Sequence, residues 1–263
     1  MAFDAGKESE HVLSLSDPAS CGFLLLGIEF DGVLAMVDAV DRVVTEAGWK
    51  LRTLLRTRRF YNDSEMIMLY KAHLLSYLEY RTPAVYHATR NVLNRLDNIQ
   101  HRFLRDAGVD ELSALFDFHL APLWTRRDMA MLGVIHRSVL GKGPPHFKEF
   151  FKRADVNSAP RRHRFHLIDV RGTAPTSNLI VRSAFGLIGV YNLLPERVVS
   201  ARSVKIFQHN LQALVKERAY QGCSNWPDSL SPRLPMVTHP LQYFSMLHLS
   251  YTAGTVDRTL PAS

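Results

Sequence analysis

The sequence has very little cysteine and no long apolar segment. Its 263 residues include two cysteines, Cys21 and Cys223. Two cysteines so far apart provide no disulfide framework and indicate a reducing compartment, so we expect a protein of the cytoplasm or nucleus. No apolar run approaches the roughly 20 residues that a membrane-spanning helix needs. Charged residues between Asp4 and Glu10 replace the apolar core of a secretion signal, so we expect neither a membrane protein nor a secreted one.

Motifs that carry catalysis or hold metals are also missing. Gly141-Lys142 lacks both the upstream glycine and the following Ser or Thr of a phosphate-binding loop. His163 and His166 have no nearby cysteine or carboxylate pair, so we interpret them as surface histidines of a basic loop, not as a zinc site. Asp38 and Asp41 lie one helical turn apart without a third acid, which favours a solvated pair. The sequence therefore indicates no catalytic residues, no metal and no cofactor.

Positive charge is what the sequence has in excess. Lysine and arginine number 32 against 25 acidic residues, giving a formal charge of +7 and an isoelectric point near 9.5. This balance predicts an anionic partner, and nucleic acid fits best. An acidic protein or an anionic membrane surface fits less well, and a basic chain without a specific partner stays open as an alternative.

Much of this charge follows one apolar stretch. Residues 23–30 form an apolar run that breaks at Gly27 and ends at Asp31-Gly32, which predicts a short β-strand. Residues 34–59 then have helical periodicity, and half of the last ten are basic while none is acidic: Lys50, Arg52, Arg56, Arg58 and Arg59. Stacked guanidinium groups repel one another unless an anion neutralises them. The pattern fits either a solvated basic face or a contact to a phosphate backbone.

Helical periodicity continues along most of the chain, so the predicted fold is mainly α, preceded by a short β segment. Asn62 suits the N-cap of the next helix, and Gly108 suits the C-cap of the one that ends there. We expect a short helix over Glu111–Phe116 and a longer one over residues 123–140. The longer helix has His136 on its inner face, where we interpret it as a core histidine, and Arg126 and Arg127 on its outer face.

The remaining segments are shorter. Residues 154–178 contain proline, glycine and clustered arginines, which is typical of a linker. Helical periodicity returns over residues 180–191 and again from Val204 to Val215, in a helix that we expect Gly222 to end. From residue 223 onward the period fades, so we predict an irregular C-terminal tail with one helical turn over residues 243–249.

Several motifs, taken together, resemble the C-terminal part of reverse transcriptases encoded by non-LTR (LINE-type) retroelements. Leu25-Leu26-Gly27-Ile28-Glu29-Phe30-Asp31 is similar to the family's Y-L-G-v-x-f-D segment, where the last palm strands meet the thumb. Weaker similarities follow in the family's order: Asp4-Ala5-Gly6-Lys7-Glu8, residues 69–80, residues 93–103, the pair Arg126-Arg127, and Tyr191-Asn192-Leu193-Leu194-Pro195 followed by Ser203, Val204 and Phe207. Ser76 stands where the family often has proline, and Tyr191 where it usually has tryptophan.

The resemblance implies a division of the chain. Residues 1–32 would be a palm-edge β remnant, 33–153 a thumb-like helical bundle, 154–222 a linker with a second small helical region, and 223–263 the irregular tail. The family's [YF]-x-D-D box, whose carboxylates hold two metal ions, is absent from the sequence. The resemblance therefore implies polymerase ancestry without polymerisation by this chain alone.

Three functional hypotheses follow. The first is a thumb-like clamp that holds the RNA or DNA backbone of a template–primer without sequence preference, with Lys50, Arg52, Arg56, Arg58 and Arg59 as candidate contacts and Arg126 and Arg127 as further ones. The second is a protein-interaction or self-association module, in which an apolar surface that once faced the palm binds another chain. The third is a decayed retroelement fragment without a selected function.

Overall fold

The computed structural model describes residues 22–25, 27–155, 162–169 and 178–242. In these parts the chain is mainly helical, with a short two-stranded antiparallel sheet on its N-terminal side. The predicted fold class is confirmed. The predicted features within residues 1–21 and the helical turn over residues 243–249 lie outside the described residues.

The apolar run forms a hairpin and not one strand. Strands β1 (Phe23–Leu25) and β2 (Ile28–Phe30) pair so that Phe23 lies opposite Phe30 and Leu25 opposite Ile28. Gly27 lies in the connection with φ of 75°, a left-handed conformation that glycine adopts without steric cost. The prediction of a single strand was wrong because the glycine that interrupts the apolar pattern reverses the chain.

Asp31 connects the hairpin to the first helix. Its Oδ1 accepts hydrogen bonds from the amides of Val33 and Ala35, and its Oδ2 accepts one from Met36 at 2.6 Å. These bonds hold a turn in which Leu34 and Met36 have φ of 55° and 60°. Helix α1 therefore starts at Val37, later than predicted, and runs over Val37–Arg56. A single 3₁₀ turn, Arg58–Phe60, follows it.

The next helices follow their predicted capping residues. Asn62 and Glu65 form a reciprocal capping box at the start of α2 (Asp63–Tyr70), which continues through a π-helical turn, Lys71–Leu75, into α3 (Ser76–Tyr80). Gly108 is left-handed and ends α5. The other helices of this half are α4 (Thr82–Val85), α5 (Arg90–Ala107) and α6 (Glu111–Phe116).

The second half contains one long helix at each end and short helices between them. Its helices are α7 (Leu123–Val139), α8 (Phe147–Phe150), α9 (Asn178–Arg182), α10 (Leu187–Leu193), α11 (Glu196–Val199) and α12 (Val204–Tyr220). The periodic stretch over residues 180–191 is thus divided between α9 and α10. Three 3₁₀ turns follow: Trp226–Asp228, Met236–Thr238 and Pro240–Gln242.

The helices bury two hydrophobic cores. The first joins β2 with α1–α6, and in it Tyr70 stacks on Phe103 with ring centroids 4.2 Å apart. The second joins α7 and α10–α12 with residues 226–241. Helix α7 contributes Leu123 to the first core and most of its length to the second. Whether the chain divides functionally at residues 153 and 222 stays a prediction.

Part of the predicted irregular tail is packed. Trp226, Leu230 and Leu241 are buried in the second core. The guanidinium of Arg162 donates hydrogen bonds to the carbonyl oxygens of Leu193, Leu241 and Gln242. Residues 223–242 contain only turns and single 3₁₀ turns, so this part of the tail is irregular, as predicted. Single large side chains nevertheless anchor it to the second core.

The two histidines that the sequence placed in a loop differ in burial. His163 is buried and its Nε2 lies 3.0 Å from the carbonyl oxygen of Tyr191, whereas His166 is half-buried. The prediction of a surface position was wrong for His163. His136 is a core residue, as predicted: it stacks on Phe207 at 4.0 Å, and its ring nitrogens contact the Tyr191 hydroxyl and the Ala201 carbonyl.

Among the described helices, none is both long enough and apolar enough to cross a membrane.

Candidate nucleic-acid interface

Five of the seven candidate residues lie together at the end of α1 and in the turn after it. Lys50, Arg52 and Arg56 belong to the last turns of α1, and Arg58 and Arg59 to the following 3₁₀ turn; all five side chains are exposed. Their helix is fixed on its opposite side, where Ala47 and Leu51 are fully buried against the first core. The charged groups therefore stand on a rigid element.

Charge pairing distinguishes these cations from most of the other exposed arginines. Within the described parts of the chain, none of the five forms an ion pair with a carboxylate. Most other exposed arginines do: Arg42, Arg90, Arg95, Arg102, Arg105, Arg164 and Arg197 each lie within 4.0 Å of an acidic side chain. Arg137, Arg153 and Arg202 are also exposed without a carboxylate partner among the described residues. The surface at the end of α1 is distinguished because five such cations follow one another within ten positions.

Aromatic rings accompany the charges. The guanidinium of Arg52 lies 4.3 Å from the ring centroid of Trp49, and that of Arg59 lies 4.7 Å from the ring of Phe60. Trp49 is 60% exposed and Phe60 is 68% exposed, so both rings also face solvent. Exposed aromatic rings beside cations are typical of surfaces that bind single-stranded nucleic acid.

Arg58 differs from its neighbours because its side chain also stabilises the fold. Its guanidinium donates hydrogen bonds to the carbonyl oxygens of Asp106 and Ala107, in the last turn of α5. A cation in this position satisfies carbonyl groups that the helix end leaves unpaired. We therefore define the basic surface as Lys50, Arg52, Arg56 and Arg59, with Arg58 at its border.

The paired arginines of α7 do not belong to this surface. Arg126 is half-buried and bonded to Glu79. Arg127 is only 4% exposed, and its two terminal nitrogens lie 2.8 and 2.7 Å from the two carboxylate oxygens of Asp97. The interpretation of Arg127 as an outward-facing contact to phosphate was wrong. Consecutive helical residues point about 100° apart, and this spacing was the signal that both could not share one outer face.

Sequence reasoning missed a polar cavity that lies against α5. Its volume is about 310 Å³, and its lining includes side chains from α5, from α7 and from the segment after α12. At its inner end the hydroxyl of Tyr86 donates a 2.6 Å hydrogen bond to Asp128, and Arg233 donates to the carbonyl oxygens of Tyr86 and Ala88. No sequence motif marks this cavity, because its residues come from segments more than a hundred positions apart.

Burial changes the proton affinities of this cluster. Burial raises the pKa of Asp128 to about 7, although the Tyr86 hydrogen bond and nearby Arg127 and Arg233 oppose the rise. Burial together with the charge of Asp128 raises the pKa of Tyr86 well above its usual value. The Asp128 carboxyl can therefore act as a hydrogen-bond donor or as an acceptor near neutral pH.

The described residues contain no group of three or more His, Cys, Asp or Glu side chains placed to hold a metal ion. No protein-family model, no curated protein and no solved structure matches this chain.

Proposed function

We propose that this protein binds the sugar–phosphate backbone of nucleic acid, without sequence preference, through its basic surface. The observation that supports this proposal is the group of exposed cations that have no acidic partner among the described residues, on a chain whose other exposed arginines are mostly paired. Phosphate groups would relieve the repulsion between these cations, and the release of counterions from the backbone would favour binding.

The resemblance to non-LTR reverse transcriptases agrees with this proposal and narrows it. We infer that the chain is the non-catalytic C-terminal part of such an enzyme, in which α1 would contact the backbone of the template–primer. A nucleic-acid partner also agrees with the cytoplasmic or nuclear location that the cysteine content predicts.

Fluorescence anisotropy with labelled RNA and DNA oligomers tests the proposal. Replacing Arg52, Arg56 and Arg59 with glutamate should weaken binding by at least about tenfold, because three phosphate contacts become repulsive. Replacing Arg42, Arg164 and Arg197 with glutamate is the matched control, since it changes the net charge equally at exposed arginines that lie outside the basic surface. Equal losses in the two triple variants would show that only net charge matters and would contradict the proposal.

A second candidate function, protein interaction, is supported by the hairpin. Phe23, Leu24 and Leu25 of β1 are 48%, 70% and 52% exposed, and Val33 in the following turn is 76% exposed. Contiguous exposed apolar side chains are typical of surfaces that bind another chain. On this hypothesis the hairpin would bind a second copy or another protein.

Size-exclusion chromatography with light scattering separates this candidate from the first. Self-association through the hairpin predicts a dimer or larger species in the absence of nucleic acid, and Leu24→Asp should convert it to a monomer. A wild-type monomer across the accessible concentration range would argue against self-association.

A further inference from the structure

The side chains that line the cavity against α5 differ in chemistry from one side to another. Asn94 and Asn98 line it from α5, Trp124 lines it from α7, and Asp128 lies at its inner end. Arg90 and Asp228, whose charged groups are 3.6 Å apart, stand at the more exposed side. The walls thus offer amide and carboxyl groups that both donate and accept hydrogen bonds, together with one large aromatic ring.

The polar groups of the cavity are only partly satisfied. The indole N–H of Trp124 is buried and has no hydrogen-bond partner in the parts of the chain that the structure describes. The Arg127–Asp97 pair, by contrast, neutralises itself at the edge of the cavity. The Arg90–Asp228 pair is also close to neutral, and the guanidinium of Arg233 lies near Asp128 with hydrogen bonds to two carbonyl oxygens. The cavity therefore suits an uncharged ligand better than an ion.

Helix α5 runs from the cavity toward Arg58, at the border of the basic surface. A shallow groove continues from the cavity toward the end of that helix, sharing Asn98 and His101 with the cavity. Its farther part is lined by basic and acidic side chains together: Arg102, Arg105, Asp110 and Glu111. Beyond the groove, α5 ends at the carbonyl groups that Arg58 caps. Ten helical residues separate Asn98 from Gly108, a distance of about 15 Å. One strand could therefore contact both sites.

We propose that this cavity binds one unpaired nucleobase, preferably adenine or cytosine, from a single strand whose phosphates contact the basic surface. Both bases carry an amino group next to a ring nitrogen, and carboxyl and side-chain amide groups pair with such an edge through two hydrogen bonds. Trp124 supplies an aromatic wall for the base, as proteins that bind unpaired bases commonly do. This inference rests on the proposed function, because the strand is held by its backbone.

The volume of the cavity and the protonation of Asp128 agree with such a ligand. Its volume of about 310 Å³ lies at the lower end of the range for small-molecule sites, which suits one base and not a larger ligand. The pKa of Asp128, raised by burial to about 7, allows the carboxyl to donate a hydrogen bond to a ring nitrogen while its other oxygen accepts one from the amino group.

The experiment compares oligomers that share a backbone and differ in their bases. An oligoadenylate, an oligouridylate and a fully abasic oligomer of equal length are titrated with the intact protein and followed by anisotropy. We expect the adenylate to bind about tenfold more tightly than the abasic oligomer, a factor typical of one bound base, and uridylate to bind less tightly than adenylate.

Variants show whether the cavity is the site of this preference. Replacing Asn94 and Asn98 with alanine should reduce the preference for adenylate to within about twofold of the abasic oligomer. Asn91→Ala is the matched control, an exposed asparagine of the same helix that does not line the cavity. The preference should also survive Trp49→Ala, which removes an exposed ring of the basic surface. A preference that survives loss of both cavity asparagines, or that is lost equally in the Asn91 variant, would overturn the proposal.

Two further outcomes separate this inference from the proposed function. If all three oligomers bind equally and the charge reversal at Arg52, Arg56 and Arg59 still weakens them, the base site is refuted and the backbone site stands. In the second outcome no oligomer binds, but calorimetry detects the binding of free adenosine, and the loss of both cavity asparagines abolishes it. The cavity then binds a free nucleoside, and the strand-bound form of the proposal is refuted.

Discussion

At the scale of single residues, Asp128 gives the clearest prediction about pH. The pKa of its carboxyl is about 7 in the folded protein, well above that of an unfolded aspartate, so folding favours the protonated form. Its contribution to stability is therefore present below about pH 4 and is lost as the pH rises toward 7. Asp128→Asn keeps the acceptor for Tyr86 and removes the charge. Urea unfolding should show that the variant gains stability relative to the wild type as the pH rises from about 4 to 8. If the difference in unfolding free energy between the variant and the wild type stays constant over this pH range, the buried position of Asp128 is contradicted.

Arg58 and Arg59 are neighbours with different roles. Arg58 bonds the end of α5, so Arg58→Ala should lower the free energy of unfolding by about 1–2 kcal/mol. Arg59 lies over the ring of Phe60, and its side chain has no hydrogen bond or ion pair among the described residues, so Arg59→Ala should leave stability unchanged and weaken nucleic-acid binding. Thermal unfolding and anisotropy of the two variants check this difference. Equal stability of both variants would show that Arg58 does not serve as a cap.

At the scale of elements, the turn between β2 and α1 depends on Asp31. Burial raises the pKa of this carboxyl, but the hydrogen bonds from Ala35, Met36 and Val33 outweigh that effect and leave the pKa below its usual value. The carboxylate therefore stabilises the fold above about pH 4, and this contribution is lost as the pH falls through the lowered pKa.

Asp31→Asn tests this turn directly. The amide keeps the size of the side chain but loses one acceptor, and we expect the free energy of unfolding to fall by about 1–2 kcal/mol at neutral pH. Asp38→Asn is the control, because Asp38 is an exposed carboxylate in the first turn of the same helix. Similar losses in both variants would mean that charge near the helix start, and not the hydrogen-bonded turn, is what stabilises α1.

Elements with a local sequence signal could be predicted from the sequence. Features that depend on long-range packing could not. Asn62, Gly108 and Gly222 mark helix ends because each satisfies or permits a specific backbone geometry, and the structure confirms all three. The hairpin is also local, since it pairs residues no more than seven positions apart and turns at Gly27. The burial of Arg127, by contrast, depends on Asp97, which lies 30 positions away. For the candidate site, the exposed basic end of α1 followed from periodicity, whereas the cavity against α5 could not be predicted, since no local pattern brings Asn94 near Trp124 or Arg233.

At the scale of the whole molecule, residues 223–242 hold the second core together. Trp226 is buried against α12 and Leu241 against α10. Trp226→Ala should therefore lower the free energy of unfolding by about 3–5 kcal/mol, the usual cost of removing a buried aromatic side chain. Chemical denaturation of the full chain measures this value. A loss below about 1 kcal/mol would show that this segment packs only loosely.

The central claim is that the unpaired cations at the end of α1 neutralise phosphates, and the salt dependence of binding measures this most directly. For a single-stranded oligomer, contacts from Lys50, Arg52, Arg56 and Arg59 predict a slope of about −3 for the logarithm of the association constant against the logarithm of the salt concentration. The variant with glutamate at positions 52, 56 and 59 should have a slope of about −1 or shallower. The control with glutamate at positions 42, 164 and 197 should keep the wild-type slope. A wild-type slope near zero, or the same slope in the wild type and in the 52/56/59 variant, would contradict the claim.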